Sequence, residues 1–295
     1  EIGVADIAPD KIVRKGRLQP GKMFLIDTVA GQIVEDEQIK SEVASLEPWG
    51  EWLEASRINL RDLPDREHVR YSNKSVKRRQ RAFGYTEEDL KIFIAPMARM
   101  GQEPIGAMGT DTPIAAISER PKLLFDYFAQ QFAQVTNPPL DAIREEVVTS
   151  MTTSIGPVRN LLEANAEHAK QMVLDYPIIG NDELAKIKHI DRANNIGKAV
   201  TVSCLYRVDD GPEALEARLE AIGAEVDQAL LAGATFIVLS DRDSNRELAP
   251  IPSLLSCSAV HHHLIRNGTR MMAGLVVEAG DARDVHHVAT LIGFG

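Results

Sequence analysis

The last hundred residues show the most regular pattern of apolar and polar positions in the chain. Three short runs rich in β-branched and other apolar residues predict strands at 199–205, 235–239 and 271–277, and these runs start 36 residues apart. Apolar residues at spacings of three and four predict a helix between the first two strands. Two further helices are predicted at 253–266 and at about 282–292. Strands that alternate with helices in this way favour a parallel sheet covered by helices. The expected fold class is therefore α/β, with an incomplete or rudimentary βα-barrel-like domain, because three units are too few to close an eight-stranded barrel.

The N-terminal part predicts a small β-hairpin followed by a helix. Short apolar strands at 23–26 and 32–34 flank a turn, and a charged helical segment follows at 38–45. Trp49 and Trp52 are most simply interpreted as apolar anchors that pin this segment to a neighbouring surface.

The middle of the chain predicts helices separated by loops. Thr86 and Asp89 form a capping box at the start of an amphipathic helix. Apolar residues at every fourth position predict another helix at 121–135, and the prolines that follow it stiffen the loop leading to a helix at 141–150. Shorter helical pieces are predicted at 161–172 and 183–188.

Residues 61–81 are the least core-like part of the chain. They are dense in charge, and their second half carries Lys74, Lys77, Arg78, Arg79 and Arg81. The whole chain has 33 Lys+Arg against 43 Asp+Glu, a net charge of −10, so a solvated linker or a docking face is favoured over a phosphate or RNA site. We therefore expect a tail at 1–60, a linker at 61–81 and an α/β domain at 82–295.

Composition excludes several classes of function. A hydrophobic fraction of 44% can fill a sizeable core, and the acidic balance disfavours binding to nucleic acid or to anionic lipid. No apolar stretch approaches the length of a membrane span, so no membrane partner is expected. Two cysteines, Cys204 and Cys257, are too few for a disulfide scaffold or for a cysteine-ligated zinc or iron–sulfur site. They fit a reducing, cytoplasmic setting, and no cofactor or metal is expected within this chain.

The best candidates for chemistry lie just after the predicted strands, where active groups of parallel α/β folds are found. Asp241, Arg242 and Glu278 occupy these positions, and Arg242 would bind a phosphate or a carboxylate. The alternative is ordinary loop chemistry, in which acidic residues cap the next helix and pair with the arginine. Residues 261–263 are three consecutive histidines, which point in different directions on a helix and so do not favour a metal site. No nucleophile elbow, dinucleotide fingerprint or phosphate-binding loop occurs.

Several stretches resemble the large chain of glutamate synthase, in the order that this family has them and over nearly the whole chain. They are GTDTP at 109–113, LFDYF through FAQVTNPP to IREE at 124–146, LSDR at 239–242, AVHHHLI at 259–265 and VHH at 285–287. The segment KGRLQPGK at 15–22 is similar to the last part of the amidotransferase domain of the family. The resemblance implies that residues 1–60 are the C-terminal end of a glutamine amidotransferase domain and that 82–295 are the central domain, a rudimentary relative of the flavin-bearing barrel.

The resemblance also implies a role in ammonia assimilation and glutamate biosynthesis. The full enzyme hydrolyses glutamine at an N-terminal cysteine, passes ammonia through a tunnel and joins it to 2-oxoglutarate with reducing equivalents from a pyridine nucleotide or ferredoxin. FMN and an iron–sulfur cluster are expected in the full-length enzyme, with the amidotransferase and FMN-binding domains as neighbours and a small reductase subunit as a further partner. This chain begins at Glu1 without that cysteine, so it is expected to be inactive alone and to serve as a connector and tunnel wall.

The tunnel-facing element is predicted to be the stiff loop formed by Thr136, Asn137, Pro138 and Pro139. Two alternatives stay open. A stand-alone small-molecule enzyme would use Arg242 and Glu278, whereas a pure interaction scaffold would dock through the two tryptophans and the basic run.

Overall fold

The computed structural model describes residues 4–110, 112–131, 135, 137–190 and 197–295. The chain divides into two compact units, one up to Glu54 and one from Ala55. No helix in these described ranges is long and apolar enough to cross a membrane.

The first unit is built on an antiparallel hairpin of β1 (Leu25–Asp27) and β2 (Gln32–Val34), followed by α1 (Asp36–Ala44) and the start of α2 (Trp49–Ser56). This confirms the predicted hairpin and helix. The buried carboxylate of Asp36 joins them, because it accepts a hydrogen bond of 2.8 Å from the Met23 amide and an ion pair of 2.9 Å from Lys40. These contacts hold the pKa of Asp36 well below its usual range.

A three-stranded parallel sheet forms the centre of the second unit. It consists of β6 (Ala199–Ser203), β8 (Phe236–Ser240) and β10 (Gly274–Glu278), with β8 in the middle. Every residue of β8 is buried, as its continuous apolar sequence predicts for a central parallel strand. The register aligns Ser203, Ser240 and Glu278, so the carboxyl ends of all three strands meet at one edge.

The two faces of the sheet are covered by different layers. Ile237 and Leu239 of β8 pack in one core with α7 (Ala214–Leu231) and α8 (Ser253–Arg266). Both helices are expected from the apolar spacing of the sequence. Phe236 and Val238 alternate to the opposite face. There they pack against α6 (Asn181–Lys188) and a small sheet of β3 (Ile58–Asn59), β5 (Met172–Leu174) and β4 (Thr153–Ile155).

An antiparallel ribbon and a helix complete the C-terminal part. β7 (Leu205–Arg207) and β9 (Leu248–Pro250) form the ribbon, and α9 (Val285–Gly293) follows β10.

The structure confirms an α/β fold with parallel strands, but it does not confirm the barrel-like expectation. The described residues contain no closed sheet, because a separate small sheet and α6 cover the second face where a barrel would continue with further strands.

The helices of the middle region begin at α3 (Asn73–Ala82). The predicted capping box is confirmed, since the Thr86 amide donates to Asp89 at 2.8 Å and the Asp89 amide donates to the Thr86 hydroxyl at 3.1 Å. A π-helical turn at Asp89–Ile94 then leads into α4 (Ala95–Met100). The helix predicted at 141–150 is also present, as α5 (Ala142–Val148).

Two predicted helices are wrong. Within the described part of 121–135 the chain forms only a 3-10 turn at Leu124–Tyr127. The fully buried side chain there is Phe125, which is not part of the predicted apolar stripe. Its ring stacks on the His287 ring, with the ring centres 4.3 Å apart. The helix predicted at 161–172 is replaced by a 3-10 turn at Ala166–Ala169 and by β5, whose residues are all buried. In both places contacts with distant residues outweigh the local apolar spacing.

Candidate functional site

The carboxyl edge of the parallel sheet holds a buried ionic network. Glu278 at the end of β10 accepts hydrogen bonds from Ser240 Oγ at 2.6 Å, from Lys188 Nζ at 2.5 Å and from Arg242 Nε. Burial alone would raise the pKa of Glu278, but these three donors outweigh it and hold the pKa below its usual value. Both carboxylate oxygens of Glu278 are therefore already paired with protein groups.

Arg242 is equally occupied. Its Nε donates to Glu278. One terminal nitrogen donates to the Tyr71 hydroxyl at 3.2 Å, and the other donates to Asn181 Oδ1 at 3.2 Å. All three guanidinium nitrogens thus have protein acceptors. Two of the five N–H donors of the guanidinium remain, but the three existing contacts tie the group to β10, α6 and Tyr71, which favours a structural role over ligand binding.

Asp241 is the least ordinary titratable group at this edge. Its carboxylate is 7% exposed and accepts a hydrogen bond of 2.6 Å from the Gly280 amide. Burial raises the pKa of Asp241 to about 7, the Gly280 amide opposes the rise, and the nearby carboxylates of Asp281 and Glu278 add to it. A carboxyl group with such a pKa is suited to proton transfer near neutrality only if a substrate can reach it.

The edge is closed by the chain itself. We call residues 83–89 the covering segment. Tyr85 donates a hydrogen bond of 3.1 Å to the Gly280 carbonyl, and the Phe83 ring lies so close to Gly280 that a Cβ there would be 2.5 Å from it. Arg283 donates to Asp89 at 2.6 Å and to the backbone carbonyls of Gly84 and Phe83. A segment held by this many contacts leaves little room for a substrate beside Asp241.

The structure brings the three strand-end candidates together, and it adds partners that sequence reasoning missed. Lys188 lies 90 residues from Glu278, and Tyr71 lies 171 residues from Arg242, so no local pattern could have linked them. Asp281 accepts a hydrogen bond of 3.0 Å from the Ser253 amide at the start of α8. Ser253 lies 28 residues before Asp281, so no local signal in the sequence indicates this helix cap.

The histidines of 261–263 point to three different partners. Arg270 Nε donates to His261 at 3.0 Å, whereas His262 contacts the Ser258 carbonyl at 2.9 Å and His263 contacts Asp227 at 2.8 Å. In the described ranges no cluster of three His, Cys, Asp or Glu side chains has a geometry that could hold a metal ion.

The two cysteines do not fit an iron–sulfur cluster. Cys204 and Cys257 are both free and buried, and burial raises the pKa of the Cys204 thiol to about 11 and also raises that of Cys257. Such thiols are protonated, whereas a cluster needs several thiolates.

The predicted tunnel loop leads directly into α5. Thr136 lies outside the described residues, whereas Asn137, Pro138 and Pro139 are exposed. The Leu140 amide donates to the Pro138 carbonyl at 2.7 Å, which closes the loop tightly before the helix. Asp141 then caps α5 by accepting hydrogen bonds from the amides of Ile143 and Arg144, at 3.0 and 2.9 Å.

An apolar stripe on and around α5 faces solvent. It consists of Leu140, Ile143, Val147 and Met151, which are 37%, 83%, 78% and 54% exposed. Their spacing of three, four and four residues is that of a helix face built to be buried. Arg144, Glu145 and Glu146 occupy other sides of the helix, and nothing in the described part of the chain covers its apolar side.

Comparison with known proteins gives consistent matches. The family described as glutamate synthase central domain matches residues 78–295, and class-II glutamine amidotransferases match residues 1–52. The chain is 41% identical to the glutamate synthase [NADH] of Schizosaccharomyces pombe, 40% to the glutamate synthase [NADPH] large chain of Bacillus subtilis and 40% to the ferredoxin-dependent glutamate synthase 2 of Synechocystis sp.. Each alignment covers 100% of this chain but only 14%, 19% and 19% of the respective relative. The chain thus spans less than a fifth of the length of these relatives.

Proposed function

The chain belongs to the glutamate synthase family, and we propose that it acts as the connecting central part of such an enzyme. In this proposal residues 1–60 end an amidotransferase domain, 61–81 link it onward, and 82–295 join it to an FMN-binding synthase domain. The chain is not catalytic by itself. Its loops instead help to wall the path by which ammonia moves between the two active domains.

The whole enzyme would convert glutamine and 2-oxoglutarate to glutamate. Glutamine hydrolysis releases glutamate and ammonia, and the ammonia then reacts with 2-oxoglutarate while a reduced donor supplies two electrons. FMN and an iron–sulfur cluster would be bound by other domains, since the cysteines of this chain do not fit a cluster. A small reductase subunit is a further partner in this proposal, and its setting is the cytoplasm, where buried free thiols persist.

The observation that carries the proposal is the exposed apolar stripe of α5. Ile143 and Val147 lie in α5, and Leu140 and Met151 flank it. Burying one side chain of this size is worth roughly 1.5–3 kcal/mol, so four exposed neighbours represent a large unrealised stabilisation. A domain that worked alone would gain nothing from this arrangement, whereas a domain that packs against a neighbour would bury the stripe. The family relation supplies such neighbours.

The loop before α5 is our proposed tunnel element. Asn137, Pro138 and Pro139 stand immediately ahead of the stripe, so a neighbour that covers Ile143 and Val147 would also come close to this loop. The prolines restrict its backbone, which suits a wall that must keep its shape. The closed strand edge supports the same conclusion, because Arg242 and Glu278 are paired with each other and with neighbouring side chains. We also propose that the three-stranded parallel sheet is a rudimentary relative of a βα-barrel.

The test uses the full-length glutamate synthase that contains this chain. Replacing Ile143→Asp and Val147→Asp together places two charges in the proposed interface. We expect glutamine hydrolysis to continue while the consumption of 2-oxoglutarate falls, so the glutamine consumed per 2-oxoglutarate consumed rises several-fold. Added ammonium should restore the synthase reaction. Replacing Thr136 or Asn137 by Ala should uncouple the two reactions in the same direction.

Ile117→Asp is the matched control, because Ile117 is 97% exposed and lies outside the stripe. It should leave the ratio unchanged. If the double α5 variant also keeps the ratio of the unmodified enzyme, the connector role of this face is wrong.

A further inference from the structure

The helix α3 presents four cations on one side. Lys74, Lys77, Arg78 and Arg81 are spaced at i, i+3, i+4 and i+7, so they form a stripe about 10 Å long. All four are exposed, and none of them has an ion-pair partner within the described part of the chain. We call these residues the cationic stripe.

This stripe destabilises the helix that carries it. Like charges three and four residues apart repel each other, and α3 contains no acidic residue to offset them. The arrangement becomes favourable only when an array of negative charges faces it.

The helix is nevertheless held firmly from its other side. Arg79 stacks over the Tyr71 ring at 4.0 Å, and the Tyr71 hydroxyl accepts the hydrogen bond from Arg242. Ser72 caps the helix through the Ser75 amide at 3.4 Å. The cations are therefore presented on a fixed surface, and the nearby Tyr71 ring is already covered and is not free to stack on a base. This favours an acidic protein surface over a nucleic acid as the partner.

The chain itself carries a matching acidic surface on α7. Glu213, which precedes the helix, and Glu216 and Glu220 within it are spaced at i, i+3 and i+7, so they cover the same seven-residue span as the cationic stripe. All three are exposed and have no ion-pair partner among the described residues. Exposed Ala217 and Ala224 lie beside them, and such small side chains allow another helix to approach closely. We call these three glutamates the anionic stripe.

We propose that the cationic stripe of one copy of this chain docks on the anionic stripe of a second copy. Each copy carries both stripes, so each stripe that is unfavourable alone finds its complement on an identical molecule. The net charge of −10 opposes self-association at long range, but salt screens charges more than about 8 Å apart far more than facing charges in contact. Individual exposed ion pairs contribute little, so the association is weak and depends on the whole array.

The experiment reverses charges in one stripe at a time in the 295-residue chain. Lys77→Glu with Arg78→Glu cancels the net charge of the cationic stripe, because Lys74 and Arg81 stay positive. Glu216→Lys with Glu220→Lys gives the anionic stripe a net positive charge. Sedimentation velocity at about 0.15 M ionic strength, where charges more than about 8 Å apart are screened, should show self-association of the unmodified chain. We expect each reversed variant alone to weaken it at least tenfold in dissociation constant. An equimolar mixture of the two variants should associate again, because a negative stripe then meets a positive one.

Restoration in the mixture distinguishes docking from misfolding, since two misfolded variants would not rescue each other. Arg246→Glu with Arg266→Glu is the control, because it makes the same change of charge at exposed cations outside the stripe. A mixture that stays monomeric, or a reversed variant that associates like the unmodified chain, overturns the proposal. Either result would leave the cationic stripe to a different acidic protein.

Discussion

Asp241 should make the stability of the second unit depend on pH near neutrality. Its pKa rises from 3.8 to about 7 because the carboxyl is buried next to two other carboxylates. Below pH 3.8 the group is protonated in both the folded and the unfolded chain and contributes nothing. Between these two pKa values the folded chain retains a proton that the unfolded chain has lost, so stability falls as pH rises through this range.

The size of the effect follows from the shift. Each pKa unit corresponds to about 1.36 kcal/mol, so ionising Asp241 in the folded chain costs about 4 kcal/mol once the pH lies above 7. Asp241→Asn removes this cost, because an amide oxygen can still accept the hydrogen bond from the Gly280 amide but cannot ionise. The variant should therefore gain stability relative to the original chain as pH increases.

The assay is urea unfolding followed by circular dichroism at about pH 5 and about pH 8.5. The free energy of unfolding of the variant minus that of the original chain should be more positive at the higher pH by about 2.7 kcal/mol, because the two pH units between 5 and the folded-state pKa of about 7 each contribute about 1.36 kcal/mol. Asp243→Asn is the control, since Asp243 is exposed and its positive φ of 72° is tolerated by Asn. A difference that does not change with pH, or an equal change in the control, would refute the reasoning.

Two further predictions concern packing. Ile237→Ala removes a fully buried side chain from β8 and should lower the free energy of unfolding by roughly 2–5 kcal/mol. Ile117→Ala is the control, because Ile117 is 97% exposed and its loss should change the free energy of unfolding by less than about 0.5 kcal/mol. Thermal melting compares the two variants. Gly280→Ala places a Cβ about 2.5 Å from the Phe83 ring, so it should loosen the covering segment, cost about 1–3 kcal/mol and speed proteolysis there. Gly50→Ala has nothing within 4 Å and should not destabilise the chain; an equal loss in both variants would contradict the steric argument.

The parallel sheet could be predicted from the sequence because its signal is local. A strand buried on both faces is a continuous apolar run, and β8 is such a run with all five residues buried. The amphipathic spacing of α7 is equally direct, since its apolar stripe faces one core. Arg242 and Glu278 are equally predictable at one edge, because both stand at the ends of strands that a parallel sheet aligns.

What could not be predicted depends on distant contacts. Residues 172–174 have no local feature that separates a strand from a helix, and their pairing with β3 and β4 decides the matter. The four-residue periodicity around Leu124 is misleading because Phe125 is held by α9, about 160 residues away. The ionic network is hidden for the same reason: Lys188 and Tyr71 come from elements far from the strand ends in the sequence.

The parallel register has a consequence for the synthesis of the chain. Ala199 pairs with Phe236, and Phe236 pairs with Gly274, so each strand has to wait for a partner that is translated 37 or 38 residues later. At roughly 5–20 residues per second, β6 leaves the ribosome about 2–7 s before β8 exists, and β8 then waits as long for β10. During these intervals an apolar strand with unpaired edges is open to other nascent chains. Slow translation of 204–273 would lengthen this exposure, whereas rapid translation of the same codons should increase the yield of folded protein.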